Sequence, residues 1–331
     1  MKKIRIGIWG TGSIANRIMA DFSRGENYVF AAACSRTLSR AEAFQKKYGA
    51  MRAVEGCDRL AHDPDIDLVY VASPHPFHFE DAKAFLEGGK HVIVEKPFTV
   101  YPNDAEALVK LAREKKLFLM EAMWTRFLPA IMDAKRKIEE GAVGNIRLIT
   151  ANFGYRSAFD PESRIFAKRL AGGSLMDVGV YALSFACMLL GNDATIQAVN
   201  CVKTPSFVDA SVAFQLSWPS GASAQLFSAV DTATEARAVI YGETGTIEIP
   251  DFWHAAEYTL IRNGESEHFA FPKENEGHFH QFEHACELIL RGKTESPVMP
   301  HTDTLRIMNM LTDIRRQAGI TYPEEEKNAE A

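Results

Sequence analysis

Three side chains with acid–base capacity stand at spacings that suit proton transfer. Lys96 lies between a carboxylate and a proline in Glu95-Lys96-Pro97, where a short apolar run ends. Asp177 and Tyr181 are four residues apart, so on a helix they share one face. A phenol exchanges a proton with an alcohol oxygen more easily when an ammonium stabilises its phenolate. The pattern predicts that Tyr181 moves the proton, Lys96 polarises the oxygen, and Asp177 orients the hydroxyl or Lys96. Taken alone, Lys96 also fits a surface lysine.

A second polar segment follows the apolar run Leu68–Ser73 and reads Ser73-Pro74-His75-Pro76-Phe77-His78. Ligands of open α/β sheets bind beyond the carboxyl ends of the strands. We therefore expect Ser73, Pro74, Glu95 and Lys96 to lie beside the cofactor. His75 and His78 are expected at the nicotinamide ribose, with ordinary loop histidines as the alternative.

A glycine-rich turn lies between the first apolar run, Ile4–Trp9, and the first helical run, and it reads Gly10-Thr11-Gly12-Ser13-Ile14-Ala15. The pattern fits G-x-G-x-x-G/A, in which the first glycine allows a tight turn and the second lets the backbone approach a pyrophosphate. The free N–H groups at the start of the following helix favour phosphate. The sequence therefore predicts a dinucleotide site.

The end of the second apolar run indicates which dinucleotide binds. NAD-binding proteins usually carry an acidic residue there for the ribose 2′-hydroxyl. This chain has Ser35 and Arg36 instead, with Arg40 one helical turn later. A hydroxyl and a guanidinium suit a 2′-phosphate. NADP is therefore the expected cofactor, and NAD stays possible.

The elements that must position these residues change character near residue 121. Before it, short apolar strands alternate with helices of 10–15 residues, the pattern of βαβ units. Residues 1–121 are thus predicted to form a doubly wound parallel sheet of the Rossmann type. Residues 122–322 are predicted to form an α+β domain for substrate binding and oligomerisation. Its core would be a large, mostly antiparallel open sheet, with about six strands between Thr195 and Phe271. Residues 323–331 are expected to be a disordered tail.

Composition excludes several classes of function. The chain has 331 residues and a net charge of −6, which disfavours a nucleic-acid-binding protein. No apolar run reaches the length of a membrane helix, and the first residues do not resemble a signal peptide. The five cysteines are odd in number, widely spaced and without a CxxC pair, as is typical of reduced thiols. We therefore expect a cytoplasmic protein without nucleic-acid or membrane partners.

Together, these motifs resemble the Gfo/Idh/MocA oxidoreductases over almost the whole chain. The likeness rests on the glycine loop, on Ser-Pro-x-x-x-His ending at His78, on Glu95-Lys96-Pro97, and on Asp177-Val178-Gly179-Val180-Tyr181. The resemblance implies that Lys96 is the catalytic lysine. It also implies that Asp177 and Tyr181 line the substrate site, on a helix that faces the cofactor.

Tyr181 shifts the likeness within the family, because many members have a histidine there. It is closest to the dimeric dihydrodiol dehydrogenase and glucose–fructose oxidoreductase branch, and the stretch Glu121–Pro129 strengthens the first comparison. The resemblance implies an aromatic substrate wall made of Trp124, Phe153, Trp253 and Phe279, with core packing as the alternative for each. Arg126, and also Arg156 and Arg164, are implied as contacts for substrate hydroxyls or cofactor phosphate.

The resulting hypothesis is an NADP-dependent oxidoreductase that moves hydride between nicotinamide and a secondary alcohol or carbonyl. The substrate would be a cyclic diol, a polyol or a sugar. An NADP-xylose, other sugar or inositol dehydrogenase is the alternative within the enzymes. A non-catalytic NADP-sensing regulator is the alternative of another class. Intact Lys96, Asp177 and Tyr181 favour the enzyme.

Two further expectations concern metals and assembly. His280 and His284 share a helical face next to His278, but they lack a third ligand of clear spacing, so no metal site is expected. A broad sheet with a face bare of helices would expose apolar side chains. Val212, Phe214 and Leu216 alternate along one strand and are candidates for one buried face. A homodimer or a dimer of dimers is therefore expected.

Overall fold

The computed structural model describes residues 3–272 and 276–330, of which 327–330 are described by backbone alone. The described residues do not include 1, 2, 273–275 and 331. The first residue of the predicted first domain and the last residue of the predicted tail therefore lie outside them. The chain divides into two compact units. The first comprises the described parts of Met1–Trp124 and Glu274–Leu305, and the second those of Thr125–Lys273 and Arg306–Ala331.

A parallel sheet of six strands forms the centre of the first unit, in the order β3-β2-β1-β4-β5-β6. Its strands are β1 (Ile4–Trp9), β2 (Tyr28–Ser35), β3 (Arg52–Glu55), β4 (Leu68–Val71), β5 (His91–Glu95) and β6 (Leu119–Ala122). The predicted doubly wound parallel sheet is confirmed. Strand β3 was not expected, because its four residues are only half-buried and show no apolar run.

Five helices connect these strands, and they are α1 (Ser13–Ile18), α2 (Leu38–Tyr48), α3 (Cys57–Ala61), α4 (His78–Glu87) and α5 (Pro102–Lys115). The apolar residues of β1, β4 and β5 are almost completely buried, because helices cover a parallel sheet on both faces. Because the strands are parallel, their carboxyl ends lie at one edge of the sheet. The predicted site residues follow four of these ends, those of β1, β2, β4 and β5.

A later segment of the chain also belongs to the first unit, although the sequence boundary assigns it to the second domain. Helix α8 (Phe279–Leu290) packs its Phe282 ring 5.0 Å from the rings of both Phe22 and Tyr70. The Asp21 carboxylate accepts the Gly277 N–H at 2.5 Å. The two residues of each pair are more than 200 positions apart in sequence, so no local sequence pattern indicates these contacts. Helix α9 (His301–Gln317) begins in this unit and ends in the second.

The second unit is built on a sheet of eight strands in the order β14-β13-β12-β11-β7-β10-β9-β8. Its strands are β7 (Ile146–Gly154), β8 (Thr195–Lys203), β9 (Asp209–Ser217), β10 (Ser223–Ala229), β11 (Ala238–Gly242), β12 (Thr246–Ile249), β13 (Glu257–Arg262) and β14 (Glu265–Ala270). Only β7 and β10 pair in parallel, so the predicted, mostly antiparallel sheet is confirmed. Val212, Phe214 and Leu216 point to its buried face, while their neighbours Ala213 and Gln215 are exposed.

Helices of the second unit include α6 (Pro129–Glu139) and α7 (Val180–Leu190). One π-helical turn, Leu175–Gly179, leads into α7, and every residue from Leu175 to Cys187 is buried. By length and composition alone, the stretch Lys168–Leu190 could cross a membrane, but 83% of its apolar window is buried inside the protein. That degree of burial is typical of the core helix of a globular domain.

The tail differs from the expectation of disorder. Residues Pro323–Glu330 form helix α10, while Ala331 lies outside the described residues. The Glu325 carboxylate receives two N–H groups of the buried Arg315 guanidinium, and Glu326 pairs with Lys168. Two glutamates of the acidic run are therefore paired with basic side chains, one of them 158 residues away in sequence.

Candidate active site

The glycine turn at the end of β1 fits a dinucleotide. Gly10 has a positive φ of 99°, and a Cβ there would lie 2.8 Å from the carbonyl oxygen of Ala72 on the neighbouring strand, so a side chain is excluded. Gly12 is exposed and begins α1, and no atom lies within 4 Å of the place of its missing Cβ. This opening, together with the free N–H groups of the first helical turn that begins with Ser13 and Ile14, would receive a pyrophosphate.

Asn16 supports this turn and was not indicated by the motif. Its side-chain amide donates to the carbonyl oxygen of Gly12 at 2.8 Å, and its amide oxygen accepts the Tyr48 hydroxyl at 2.7 Å. Helix α2 is thereby tied to the turn. Thr11 lies half-buried within it.

The end of β2 places its basic residues in solvent. Ser35 is the last strand residue and is buried, while Arg36 and Arg40 are both exposed at the start of α2. The neighbouring strand β3 ends with Glu55, opposite Ser35, and its carboxylate accepts the Leu38 N–H at 3.3 Å. The sequence-predicted residues for a 2′-phosphate are therefore accessible at the correct edge of the sheet.

The loops after β4 and β5 are joined by His78, which is completely buried. Its Nδ1 lies 2.9 Å from the carbonyl oxygen of Pro97, and its Nε2 lies 2.8 Å from that of Ser73. Burial lowers the pKa of His78. Both ring nitrogens thus face main-chain oxygens, which places His78 between the two loops, and its contact with the nicotinamide ribose stays a prediction. His75 lies in a short turn after Pro74, with its ring 5.8 Å from that of His78.

The backbone around Lys96 is fixed by buried carboxylates. Glu95 accepts the Lys96 N–H at 3.2 Å and also binds the Tyr70 hydroxyl. Glu121 accepts the Phe98 N–H at 3.1 Å and, with its other oxygen, the Thr304 hydroxyl at 3.1 Å. Glu95 therefore binds a backbone N–H, and its predicted cofactor contact stays a prediction. Lys96 is half-buried. The hydrogen bonds of Glu95 and Glu121 fix the backbone from which its side chain extends.

In the second unit, Asp177 is held by two partners. Its Oδ2 accepts the Tyr155 hydroxyl at 2.5 Å, and its Oδ1 pairs with the Arg164 guanidinium at 2.9 Å. Burial and the nearby carboxylate raise the pKa of Tyr155, and the Asp177 charge raises that of Arg164. Arg164 was a candidate for a substrate contact, whereas Tyr155 was missed, because a tyrosine in a polar loop gives no distinctive signal.

Tyr181 belongs to an aromatic cluster with two residues of the predicted wall. The Phe153 and Trp253 rings stack at 4.7 Å with an interplanar angle of 20°. The Tyr181 ring lies 5.6 Å from Phe153 and 6.3 Å from Trp253. Tyr181 and Asp177 are placed on successive turns of the buried helix, one in its α-helical part and one in the π-turn.

The other two wall candidates lie in the first unit, close to His278. The Trp124 ring is 1% exposed and lies 4.0 Å from the His278 ring. Phe279 is half-buried, 4.0 Å from the His280 ring and beneath the Arg24 guanidinium at 5.0 Å. Trp124 is thus a packed core residue within its unit, which was the alternative interpretation for it.

Arg126 is also buried, with 2% of its surface exposed. Its Nε donates to the Ser184 hydroxyl at 2.9 Å, and its Nη2 donates to the Ser184 carbonyl oxygen at 3.0 Å. Ser184 lies one turn after Tyr181 on α7. Arg126 therefore holds the helix that carries Tyr181, and the substrate contact that the resemblance implied stays a prediction.

The histidines near the start of α8 do not form a cluster of ligands. His284 shares a hydrogen bond of 2.8 Å with the Ser296 hydroxyl, and burial lowers the pKa of both His280 and His284. Within residues 3–272 and 276–330, no group of three or more His, Cys, Asp or Glu side chains is arranged to hold a metal ion.

Asp209 was missed by the sequence and fixes the start of the π-turn. It is buried at the beginning of β9, where its Oδ2 accepts the Leu175 N–H at 2.6 Å and the Ser174 hydroxyl at 2.8 Å. Burial raises the pKa of Asp209 to about 6. The helix that presents Asp177 and Tyr181 thus begins on a buried carboxylate.

Replacing Asp209 with Asn is expected to remove a pH dependence of stability. The folded-state pKa of about 6 exceeds the usual 3.8, so the contribution of this group is fully present below 3.8 and is lost as the pH rises through 6. Between about pH 7.5 and about pH 4.5, the unfolding free energy of the wild type should gain on the order of 2 kcal/mol relative to Asp209→Asn. Urea titrations of both proteins measure this, and an equal difference at both pH values would contradict it.

Models of two family domains match the chain. The model of the oxidoreductase family with an NAD-binding Rossmann fold matches residues 4–123, and the model of the GFO/IDH/MocA C-terminal domain matches residues 131–248. The chain belongs to the GFO/IDH/MocA oxidoreductase family. The resemblance seen in the sequence is thereby confirmed.

Curated relatives extend the match over nearly the whole of this family member. It is 30% identical to a trans-1,2-dihydrobenzene-1,2-diol dehydrogenase of Mus musculus, covering 98% of this chain and 99% of the relative. It is 32% identical to the enzyme of that name from Bos taurus, covering 96% and 98%.

Solved structures give the same result. A 3-ketoreductase from Actinomadura kijaniata in complex with NADP and TDP-benzene has a TM-score of 0.86 at 27% identity, covering 96% of this chain and 98% of that one. An aldose-aldose oxidoreductase from Caulobacter crescentus complexed with glycerol has a TM-score of 0.87 at 28% identity, with the same coverage. The protein is an NAD(P)-binding oxidoreductase that acts on CH–OH groups.

Proposed function

We propose that this oxidoreductase is an NADP-dependent dehydrogenase for the secondary alcohol of a cyclic diol. The observation that carries the proposal is the stacked pair Phe153 and Trp253 beside Tyr181, next to a buried carboxylate. Flat aromatic faces suit the apolar face of a small ring, and a fixed carboxylate suits its hydroxyl groups. The relatives named trans-1,2-dihydrobenzene-1,2-diol dehydrogenase support this substrate class.

In the proposed reaction, the alcohol loses a hydride from carbon and a proton from oxygen, and a carbonyl forms. When bound, the oxidised nicotinamide supplies the hydride acceptor. The Tyr181 phenolate takes the alcohol proton and becomes the phenol, and the Lys96 ammonium stabilises the charge that develops on oxygen. Asp177, held by Tyr155 and Arg164, accepts a hydrogen bond from the second hydroxyl of the diol.

The dinucleotide would be held by the residues of the first unit. The N-terminus of α1 and the open position at Gly12 suit the pyrophosphate. Arg36 and Arg40, with the Ser35 hydroxyl, suit a 2′-phosphate. The 3-ketoreductase that was solved with NADP supports this preference over NAD.

Replacing Arg36 with Ala is expected to weaken NADP selectively. Loss of a charge-assisted contact should raise the KM for NADP by about twentyfold, while the KM for NAD stays the same, because NAD has no 2′-phosphate. Arg59→Ala, an exposed arginine on α3, is the matched control. Steady-state kinetics with both cofactors measure this, and an equal change for NADP and NAD would contradict the assignment.

A panel of alcohols tests the substrate class. The full-length protein is incubated with NADP and with trans-cyclohexane-1,2-diol, xylose or inositol, and the reduced nicotinamide is followed by its absorbance. The diol should give the highest kcat/KM. A sugar as the best substrate would instead favour the second candidate, a sugar oxidoreductase, which the likeness to the aldose-aldose oxidoreductase supports. No turnover with any of them, cofactor being bound, would contradict both.

We further propose that the protein is a homodimer or a dimer of dimers in the cytoplasm. Tyr241 and Val202 on the strands of the large sheet remain 41% and 53% exposed, which fits a face covered by a second subunit. Five cysteine thiols at wide sequence spacing fit a reducing compartment. Sedimentation as a monomer at micromolar concentration would contradict the assembly.

A further inference from the structure

The loop that carries Arg164 is closed by its own hydrogen bonds. We call residues 163–173 the Arg164 loop. The Gly173 N–H donates to the Ile165 carbonyl oxygen at 2.8 Å, and the Gly173 carbonyl oxygen accepts the Asp177 N–H at 3.2 Å. The residue next to Arg164 is therefore two hydrogen bonds away from the backbone of Asp177. The position of Gly173 therefore helps to set where the Arg164 guanidinium lies relative to the Asp177 carboxylate.

The C-terminal segment, residues 320–326, contacts this loop at two points. The Tyr322 hydroxyl donates to the Gly172 carbonyl oxygen at 2.6 Å inside the protein. Four residues further along the segment, Glu326 pairs with Lys168, which lies four residues before Gly172 in the loop. The first contact is completely buried, and the second is partly exposed, so most of the constraint comes from Tyr322.

The segment is itself fixed by a buried guanidinium. Arg315 is 1% exposed, pairs with both oxygens of Glu325, and lies 4.4 Å above the Tyr322 ring. The Glu325 carboxylate also accepts the Tyr322 N–H at 3.0 Å. These contacts hold the Tyr322 ring and direct its hydroxyl to the Gly172 carbonyl oxygen. A buried guanidinium with two charge-assisted hydrogen bonds to Glu325 is well suited to keep the Tyr322 ring in place.

We infer that residues 320–326 form a C-terminal latch that positions Arg164 on Asp177, with Tyr322 as its positioning residue. The latch touches neither substrate nor cofactor. It acts through the Arg164 loop, which keeps the Asp177 carboxylate in the orientation that the alcohol requires. The inference rests on the proposed role of Asp177 in alcohol binding.

Tyr322→Phe tests the latch, because it removes the hydroxyl and keeps the ring beneath Arg315. Gln317→Ala, an exposed residue at the end of α9, is the matched control. Amide hydrogen exchange of the full-length protein should become about fivefold faster in residues 163–173, the size expected for one lost hydrogen bond. Strand β7 should keep its protection. Unchanged exchange in the loop, or acceleration spread evenly over the whole unit, would overturn the latch.

Kinetics separate positioning from a general structural role. In Tyr322→Phe, kcat/KM for the alcohol should fall about fivefold while the KM for NADP stays constant. In an Arg164→Ala background the same change should have no further effect, because the latch acts through Arg164. Additive effects would overturn the inference. If the wild type oxidises no alcohol, the proposed function fails, and the hydrogen-exchange result still decides about the latch.

Discussion

Replacing Lys96 with Met is expected to lower kcat for alcohol oxidation by about a thousandfold, the scale of a lost acid–base and charge-stabilising group. Methionine keeps the length and apolar stem of lysine and removes only the ammonium. The backbone at Lys96 is held by Glu95 through its N–H, and the next two residues are held by His78 and Glu121. We therefore expect the fold to survive the substitution and the loss to be confined to the chemistry.

Steady-state kinetics and a melting curve measure this pair of outcomes. Lys110→Met is the matched control, because Lys110 lies on α5 with 78% of its side chain exposed. The KM for NADP should stay within about threefold of the wild type, since the pyrophosphate site on α1 is untouched. Normal turnover in Lys96→Met would reject the lysine as a catalytic residue.

Replacing Tyr181 with Phe is the second change with a large expected effect. The variant keeps the ring that packs 5.6 Å from Phe153, and it removes the hydroxyl that is proposed to take the alcohol proton. The expected loss in kcat is about a thousandfold, typical of a missing general base. Because the ring is retained, the aromatic cluster and its binding of the substrate ring should persist, so KM should change little.

The pH–rate profile of the residual activity is a second measurement on Tyr181→Phe. Removing the proton acceptor should abolish the limb of the pH–rate profile that reports its ionisation. Tyr241→Phe serves as the control, because Tyr241 is 41% exposed on the large sheet. A variant that retains both the rate and the profile would show that another group accepts the proton.

The glycine turn and the Lys96 segment could be predicted because each is a local pattern at the end of an apolar strand. The chemistry of G-x-G-x-x-A needs only six successive residues, and the structure places Gly10 and Gly12 as that pattern requires. The parallel sheet followed for the same reason, since each βαβ unit can be recognised within about thirty residues.

The partners of the site residues could not be predicted, because they are distant in sequence. Asp177 finds Tyr155 and Arg164 in a loop without apolar periodicity, and Asp209 caps the same helix from a strand 34 residues later. Glu121 was one signal that could have been used, since an acidic residue in a buried strand requires partners.

Burial adds a positioning contact to several predicted site residues. Arg126 is predicted to be a substrate contact from its position in a motif, and its buried guanidinium also donates to Ser184. His78 and Glu95 hold backbone groups in the same way. A motif identifies that a residue matters, whereas only its three-dimensional surroundings show whether it touches ligand or positions another residue.

Direct hydride transfer from the alcohol carbon is the central claim, and one isotope measurement tests it. The full-length protein oxidises trans-cyclohexane-1,2-diol that carries deuterium on both carbinol carbons, with NADP as acceptor, and the reduced cofactor is analysed by mass spectrometry. Direct transfer should place one deuterium in each molecule of reduced cofactor, and Lys96→Met should give no such product on the same timescale. Reduced cofactor without deuterium, or no reduced cofactor while diol and NADP are both bound, would contradict direct transfer.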